Sequence, residues 1–384
     1  MKKYMILLLI IALFVSTMFV GIGCKEEATE EEAAEEEATE EEVVAEEESI
    51  SIGIAFPNKS TIKYLRGAQI IADALTESGY NVIQQFAEND VAAQLSQIEN
   101  LIASDVKVLI VAAVDGSSLT DVLKQAKDAG VRVIAYERLV YKTENVDYYT
   151  CFDNHRVGSL DGEYIVEKLD LENNEGPFNI ELFAGSLDDN VAYFNYDGAM
   201  SVLQPYIDSG KLVVKSGQID IETCATPKWA GEEAQKRMDN LLGGFYTDDT
   251  LSAVFSSYDG MSIGIVASLK GIGFGTPELP FPIVTGQDGE LASIKSILAG
   301  EQTMTAFKDD RKLALQAVYM VETLLSGEEP PLVDTEDVKI DQVTYDNEVK
   351  IVPTFVIQPV AVDADNLDEL VVQSGFYTEE EVYE

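Results

Sequence analysis

RVIAYERL (132–139) carries an apolar run straight into an adjacent acid and base, Glu137 and Arg138. The same layout recurs along the chain. Asn58, Lys59, Lys63 and Tyr64 follow ISIGIAF; Asp115 follows VLIVAAV; Asp153 and Asn154 follow YYTCF; Asp188, Asp189 and Asn190 follow FNIELFAG. Tyr258 and Asp259 follow LSAVFSS, Gln287 and Asp288 follow FPIVTG, and Lys308 with Asp309 and Asp310 follows TMTAF. Any one of these residues reads as a helix cap, because Asp or Asn ahead of a helix satisfies free backbone N–H groups. Together they describe a ring of planar donors and acceptors. Carboxylates and amides accept or donate in pairs, which suits vicinal hydroxyls, and Arg and Lys donate to hydroxyl or ring oxygens.

A polyol also presents apolar C–H faces, which flat aromatic side chains cover. Trp229, the only Trp, sits where the loop IDIETCATPK gives way to an expected helix, and Tyr64, Tyr193, Phe194 and Tyr258 fall near the same run ends. Core packing is the alternative for each. The single histidine, His155, argues against a His-based zinc site and a Ser-His-Asp triad. Asp188 and Asp189 could suggest glycoside hydrolysis, but sequence neighbours seldom flank a scissile bond from opposite sides. GIGFGT (271–276) follows an expected helix, whereas a dinucleotide loop must follow a strand and open a helix.

The elements that must position these residues alternate. Short runs rich in Val, Ile and aromatics predict strands, and amphipathic stretches between them, such as the face of Ile62, Leu65, Ala68, Ala72 and Leu75, predict helices. Further helices are expected over 92–104 and 118–129 and from about Val157, Trp229, Ser262 and Leu291. Continuous apolar strands separated by helices call for parallel sheets covered on both faces. There are more strands than one open sheet holds comfortably, so the expected fold is α/β with two Rossmann-like lobes. Ligands in such folds bind at the carboxyl ends of the strands, where the polar residues above stand.

The chain has 384 residues and a formal charge of −43, which argues against a nucleic-acid or anionic-membrane face. Lys2 and Lys3, the apolar run Tyr4 to Val20 and the small residues before Cys24 have the layout of an export signal, expected over 1–23. Residues 25–48 hold 14 glutamates and one lysine and read as a solvated spacer. Cys151 and Cys224 could pair in an exported chain, but they fall in different segments, which argues against a disulfide. The acid-rich stretch 334–348 lacks the spacing of a calcium loop and reads as a surface hairpin. No cofactor or metal is called for.

AYERL, CFDNHRVG, AGSLDDN, PYIDSGK, SSYDGMSIGIVASLKG, TGQDGELASIKSILAGEQTMTAFKD and VIQPVAV, in that order across residues 50 onward, resemble the periplasmic sugar-binding proteins of ABC transporters. The likeness is to the xylose-binding and multiple-sugar-binding branch of these type I periplasmic binding proteins. GIGC is similar to the bacterial lipoprotein box, in which Cys24 becomes the lipidated first residue. The resemblance implies two lobes joined by three crossing segments and closing on one monosaccharide, an aldopentose or aldohexose such as xylose, arabinose, glucose or galactose. It implies binding and not catalysis, delivery to an ABC permease or presentation to a sensor kinase or chemoreceptor, and a monomer held outside a bacterial membrane by its lipid.

Carried onto this chain, the ligand-binding positions are Lys63, Glu137, Arg138, Asp189, Trp229, Tyr258, Asp259, Asp288 and Lys308, with Lys59 and Tyr64 added. The family usually has Asp where this chain has Glu137 and an amide where it has Val191, and the xylose branch has Asn at Tyr258, so the particular sugar stays open. The lobes are expected over 49–153 with 289–328 and over 154–288 with 329–384, after a lipid-anchored acidic linker at 24–48. Crossings are expected near Asp153–His155, near Gln287–Gly289 and in a later segment around 325–352. A transcription regulator is excluded by the export signal and glutamate-rich spacer where a helix-turn-helix would stand.

Overall fold

A computed structural model describes residues 49–384; the expected export signal, Cys24 and the acidic linker lie outside them. The chain starts as β1 (Ser51–Phe56), α1 (Ile62–Glu77), β2 (Asn81–Phe86), α2 (Val91–Ala103), β3 (Val108–Val111), α3 (Thr120–Asp128), β4 (Arg132–Tyr136) and β5 (Tyr148–Phe152). It continues through α4 (Asn154–Lys168), β6 (Phe178–Phe183), α5 (Asn190–Asp208), β7 (Leu212–Val213), α6 (Ile221–Cys224), α7 (Gly231–Phe245) and β8 (Ala253–Ser256). Then come α8 (Asp259–Gly271), β9 (Ile283–Val284), α9 (Leu291–Leu298), β10 (Met304–Phe307), α10 (Asp310–Leu325), β11 (Val338–Asp341), β12 (Thr354–Ile357), β13 (Val360–Asp363) and α11 (Glu379–Tyr383).

Two lobes result. The first is built on a seven-stranded sheet of order β11-β12-β5-β4-β3-β1-β2, parallel except for β11, and the second on the parallel sheet β7-β6-β8-β9. Successive strand side chains point to opposite faces, and this splits each lobe into two cores. Ile52, Ile54, Val108, Ile110 and Ile134 pack under α1 and α10, while Ala55, Leu109, Val111, Val133 and Ala135 pack with Leu101 of α2 and Leu123 of α3. In the second lobe Phe183, Val254 and Val284 meet Met238 of α7 and Ile265 of α8, whereas Ile180, Leu182 and Phe255 meet Ile165 of α4 and Leu203 of α5. Burial on both faces is why these strands read as unbroken apolar runs.

Strand pairing moves the lobe boundaries from those expected. The chain leaves the first lobe after β5, where Asp153 caps α4 by accepting from Arg156 N. It returns at Lys308–Asp309 and not at Gln287–Gly289, because β10 stays with the second lobe: Gln287 bridges to Ala306, and only α10 packs back on α1 and β5. The last crossing is at Gln358–Pro359 and not within 325–352, because β12 lies beside β5 in the first sheet and β13 beside β10. Residues 289–307 therefore lie in the second lobe and 310–357 in the first. VIQPVAV looks like one strand, but Pro359, with no N–H to give a ladder, divides two strands of different sheets. Within the acidic stretch, β11 pairs antiparallel with β12.

Cys151 and Cys224 are buried, unpaired thiols. Among the described residues no helix is long and apolar enough to cross a membrane.

The helix pair α4–α5 is pressed close enough that a Cβ on Gly158 would stand 1.8 Å from the carbonyl oxygen of Asn195. Gly158→Ala should cost about 3 kcal/mol of stability by forcing the helices apart. Gly243→Ala, on the open side of α7, should be neutral or stabilising by about 0.5–1 kcal/mol. Urea unfolding of both variants measures this, and equal effects would contradict the close approach.

Candidate functional site

The ends of β3, β4, β6, β8, β9 and β10, with the start of α1, open on one cleft between the lobes, a cavity of about 430 Å³, while Asp153 and Asn154 at the end of β5 do not line it. The first sheet reverses its strand order between β1 and β3 and the second between β6 and β8; these are the switch points at which loops diverge and leave room for a ligand. The first turn of α1 supplies Lys63 and Tyr64, the end of β4 Glu137 and Arg138, and the loop after β6 Asp188 and Asp189. The turn before α7 supplies Trp229, the end of β8 Tyr258, the segment after β9 Gln287 and Asp288, and the end of β10 Lys308.

Charge alternates without a break along the cleft. Lys308 Nζ lies 2.7 Å from Asp288 Oδ1, and Asp288 Oδ2 lies 3.5 Å from Lys63 Nζ. Lys63 Nζ donates to Glu137 Oε1 at 2.7 Å; Arg138 Nε lies 3.8 Å from Glu137 Oε2, and Arg138 Nη2 lies 3.4 Å from Asp189 Oδ2. Lys63–Asp288 and Arg138–Asp189 thus span the two lobes, both longer than a tight charge-assisted bond of about 2.7–2.9 Å.

Burial works against every charge here and the neighbours decide the outcome. Burial raises the Glu137 carboxyl, yet Lys63, Lys308 and Arg138 together hold it at about 2. Burial would also raise Asp288, but Lys308 and Lys63 keep it below the usual carboxylate range. Lys63 is pulled down by burial and lifted well above its ordinary value by Asp288 and Glu137. Asp189 is the exception, since burial outweighs Arg138 and raises it.

The backbone is unusual where the chain turns into the cleft. Glu137 has φ 66°, Lys228 and Trp229 have φ 57°, and Asp288 has φ 95°. This region costs a bulky L residue of order 1–3 kcal/mol and persists only where surroundings enforce it. For Glu137 the enforcement is its N–H on Thr150 O and its carbonyl accepting from Tyr149 OH at 2.6 Å. Trp229 was expected to open a helix; it instead ends a tight 3₁₀ turn, Pro227–Trp229, two residues ahead of α7. The indole passes so close over Gly185 that a Cβ there would lie 2.1 Å from it, and its ring meets Tyr258 edge-on at 6.1 Å.

Nine of the expected residues line the cleft: Lys63, Tyr64, Glu137, Arg138, Asp189, Trp229, Tyr258, Asp288 and Lys308. Two do not. Asp259 is fully buried, and its carboxylate accepts from Glu290 N, Gln302 Nε2 and Thr305 Oγ1, so it ties α8 to the loop after β9 and to β10. Lys59 is exposed, with Nζ 5.1 Å from the Phe86 ring. Helix phase explains the first error, since adjacent residues at a helix start point in different directions.

The wall also holds Asn58, Thr61, Asn89, Val114, Asp188, Val191, Lys228 and Gln287. Asn58, Asp188 and Gln287 stand at strand ends, a signal the sequence offers. Asn89, Lys228 and Thr61 carry no such mark; Asn89 is brought in by accepting from Asn58 Nδ2 at 2.9 Å. The buried Gln287 Oε1 and Arg138 Nε have no hydrogen-bond partner, leaving an acceptor and a donor available at the cleft. Asp189 does both things the sequence suggested, capping α5 by accepting from Val191 N at 3.0 Å while its other oxygen faces Arg138.

Residues 52–329 match the model of the periplasmic binding protein domain. The chain is 53% identical over 333 residues to the multiple sugar-binding periplasmic protein SbpA of Azospirillum brasilense, covering 87% of this chain and 91% of that one. It is 33% identical over 336 residues to the D-xylose-binding periplasmic protein of Escherichia coli, covering 87% and 93%. Among solved structures, an ABC transporter solute-binding protein from Clostridium phytofermentans with bound β-D-glucose superposes with a TM-score of 0.80 at 44% identity, covering 86% of this chain and 99% of that one. A carbohydrate transporter solute-binding protein from Chloroflexus aurantiacus in complex with D-glucose gives 0.75 at 30% identity, covering 87% and 98%.

The depressed Glu137 carboxyl has a pH signature. Its ionised form is favoured by folding, so its contribution is complete above about pH 4.5 and is lost as the pH falls towards about 2. Glu137→Gln should therefore be less stable than the parent at neutral pH, with the gap closing through that window. A gap that stays constant in urea melts at pH 7, 4 and 2.5 would contradict the ionised network.

Proposed function

This chain belongs to the periplasmic binding protein family, and from that premise we propose that it is an extracytoplasmic receptor that captures an aldopentose or aldohexose between its lobes and delivers it to an ABC permease. The observation that carries the reading is a charge-balanced, aromatic-edged cleft. Four cationic side chains, Lys63, Arg138, Lys228 and Lys308, face four carboxylates, Glu137, Asp188, Asp189 and Asp288. A balanced wall offers no net attraction to an ionic ligand, yet it is dense in strong donors and acceptors for an uncharged polyol. Trp229, Tyr64 and Tyr258 supply flat faces for its C–H bonds.

In this reading Arg138 and Lys308 donate to ring or hydroxyl oxygens, Asp189 and Asp288 accept from hydroxyls, and Trp229 stacks on the sugar's apolar face. The ligand touches residues of both lobes at once, so it favours the closed arrangement over the open one, and hinge closure follows as a shift of population. No bond is made or broken, in keeping with relatives that are named as binding proteins. Lys2–Val20 direct export, and lipid on Cys24 holds the domain at the membrane through the acidic spacer.

In a calorimetric panel of common pentoses and hexoses, at least one should bind without turnover. Arg138→Ala and Trp229→Ala should each weaken it at least about a hundredfold, a loss of about 2.7 kcal/mol, while keeping the parent's thermal unfolding within a few degrees. Parent-like affinity in both variants would mean the site lies elsewhere; silence towards every sugar, or product formation, would end the proposal. For the anchor, Cys24→Ser expressed from the full chain should lose incorporation of labelled fatty acid and leave the membrane fraction, and unchanged partition would refute lipidation.

A further inference from the structure

A second chamber of about 460 Å³ adjoins the cleft and shares Val114, Arg138, Asp188 and Asp189 with it as a common wall. Its first-lobe side is the loop after β3, Ala113–Ser117, with Leu139 and Tyr141; its second-lobe side is the start of α5, including Asn190, Tyr193 and Phe194. The chamber is not a gap left by separated lobes, because the lobes already touch at its borders. Arg138 reaches Asp189 at 3.4 Å, and the Phe194 ring lies 5.5 Å from Tyr345 of the first lobe.

We propose that this chamber is a second sugar subsite, so that the receptor accepts a disaccharide with one ring in the inner cleft and the other here; the inference rests on the monosaccharide reading above. The wall repeats the chemistry of the first site in a more open form. Tyr141, Tyr193 and Phe194 offer aromatic faces, and Asp115, Asp188 and Glu348 offer acceptors. The Asn190 amide Nδ2 is buried with no hydrogen-bond partner, and a buried donor of that kind calls for an acceptor such as a hydroxyl. The partition is loose on its second-lobe side: Arg138 Nη1 donates to Ala113 O at 3.3 Å in the first lobe, whereas Arg138–Asp189 across the lobes is longer than a tight ion pair. A glycosidic oxygen can therefore pass beside the guanidinium.

The test is calorimetry on the purified full-length protein with glucose, xylose and their α- and β-1,4-linked disaccharides. At least one disaccharide should bind within about tenfold of its parent monosaccharide. Ser117→Trp, which fills the chamber from an exposed loop position, should weaken that disaccharide at least about tenfold while leaving the monosaccharide within about twofold. Tyr193→Ala removes an aromatic face and should act in the same direction if the Trp variant does not fold. Monosaccharide binding with no disaccharide binding overturns the second subsite and leaves the receptor reading intact, as does disaccharide affinity indifferent to both variants. No binding of any sugar overturns both.

Discussion

A row of six charges of alternating sign, Lys308, Asp288, Lys63, Glu137, Arg138 and Asp189, is the constraint around which the cleft is organised. A lone charge at this depth would be neutralised by a shifted pKa, and a single pair would barely offset its own desolvation. In a row, each interior member has two opposite neighbours, so Glu137 and Asp288 stay ionised despite burial. The row takes members from the start of α1 and the ends of β4, β6, β9 and β10, which the two parallel sheets and the β10–β13 ladder bring to one cleft. Removing one member alters the protonation of the next.

How much of this was legible in the sequence follows from which interactions are local. Strand-end chemistry is a local signal: an apolar run, then a polar residue. Glu137, Arg138, Asp189 and Asp288 could be read from it, and the alternation of strand and helix pointed to two α/β lobes. The lobe boundaries could not be read so well, because nothing in β11 or β12 says which sheet they join; that is decided by pairing with β5. Asp259 misled for a related reason. Its type suits the cleft, but its direction is set by helix α8, which turns it onto Gln302 and Thr305.

The left-handed backbone at Glu137, Trp229 and Asp288 was also invisible, since Glu and Trp do not favour it and Asp, which tolerates it, does so in too many settings to mark one position. These residues hold a carboxylate, an indole and a second carboxylate at angles an ordinary strand end would not give. The conformational cost is met in the fold, by Thr150, Tyr149 and the neighbouring strands, so a ligand need not supply it on binding. That is preorganisation in a physical sense, and it keeps the ordering cost of association small.

The placement of β12 reaches beyond the binding site into the order of assembly. Its partner β5 was made 205 residues earlier, and most of the second lobe, from α4 to β10, lies between them. Such a contact closes a long loop before it gains any pairing, which makes the first sheet slow to complete. A chain read from its N-terminus cannot finish its first lobe until nearly its last residues are available. In a chain made from its N-terminus, the first sheet therefore stands open along its β5 edge until the elements from α4 to β10 have been made.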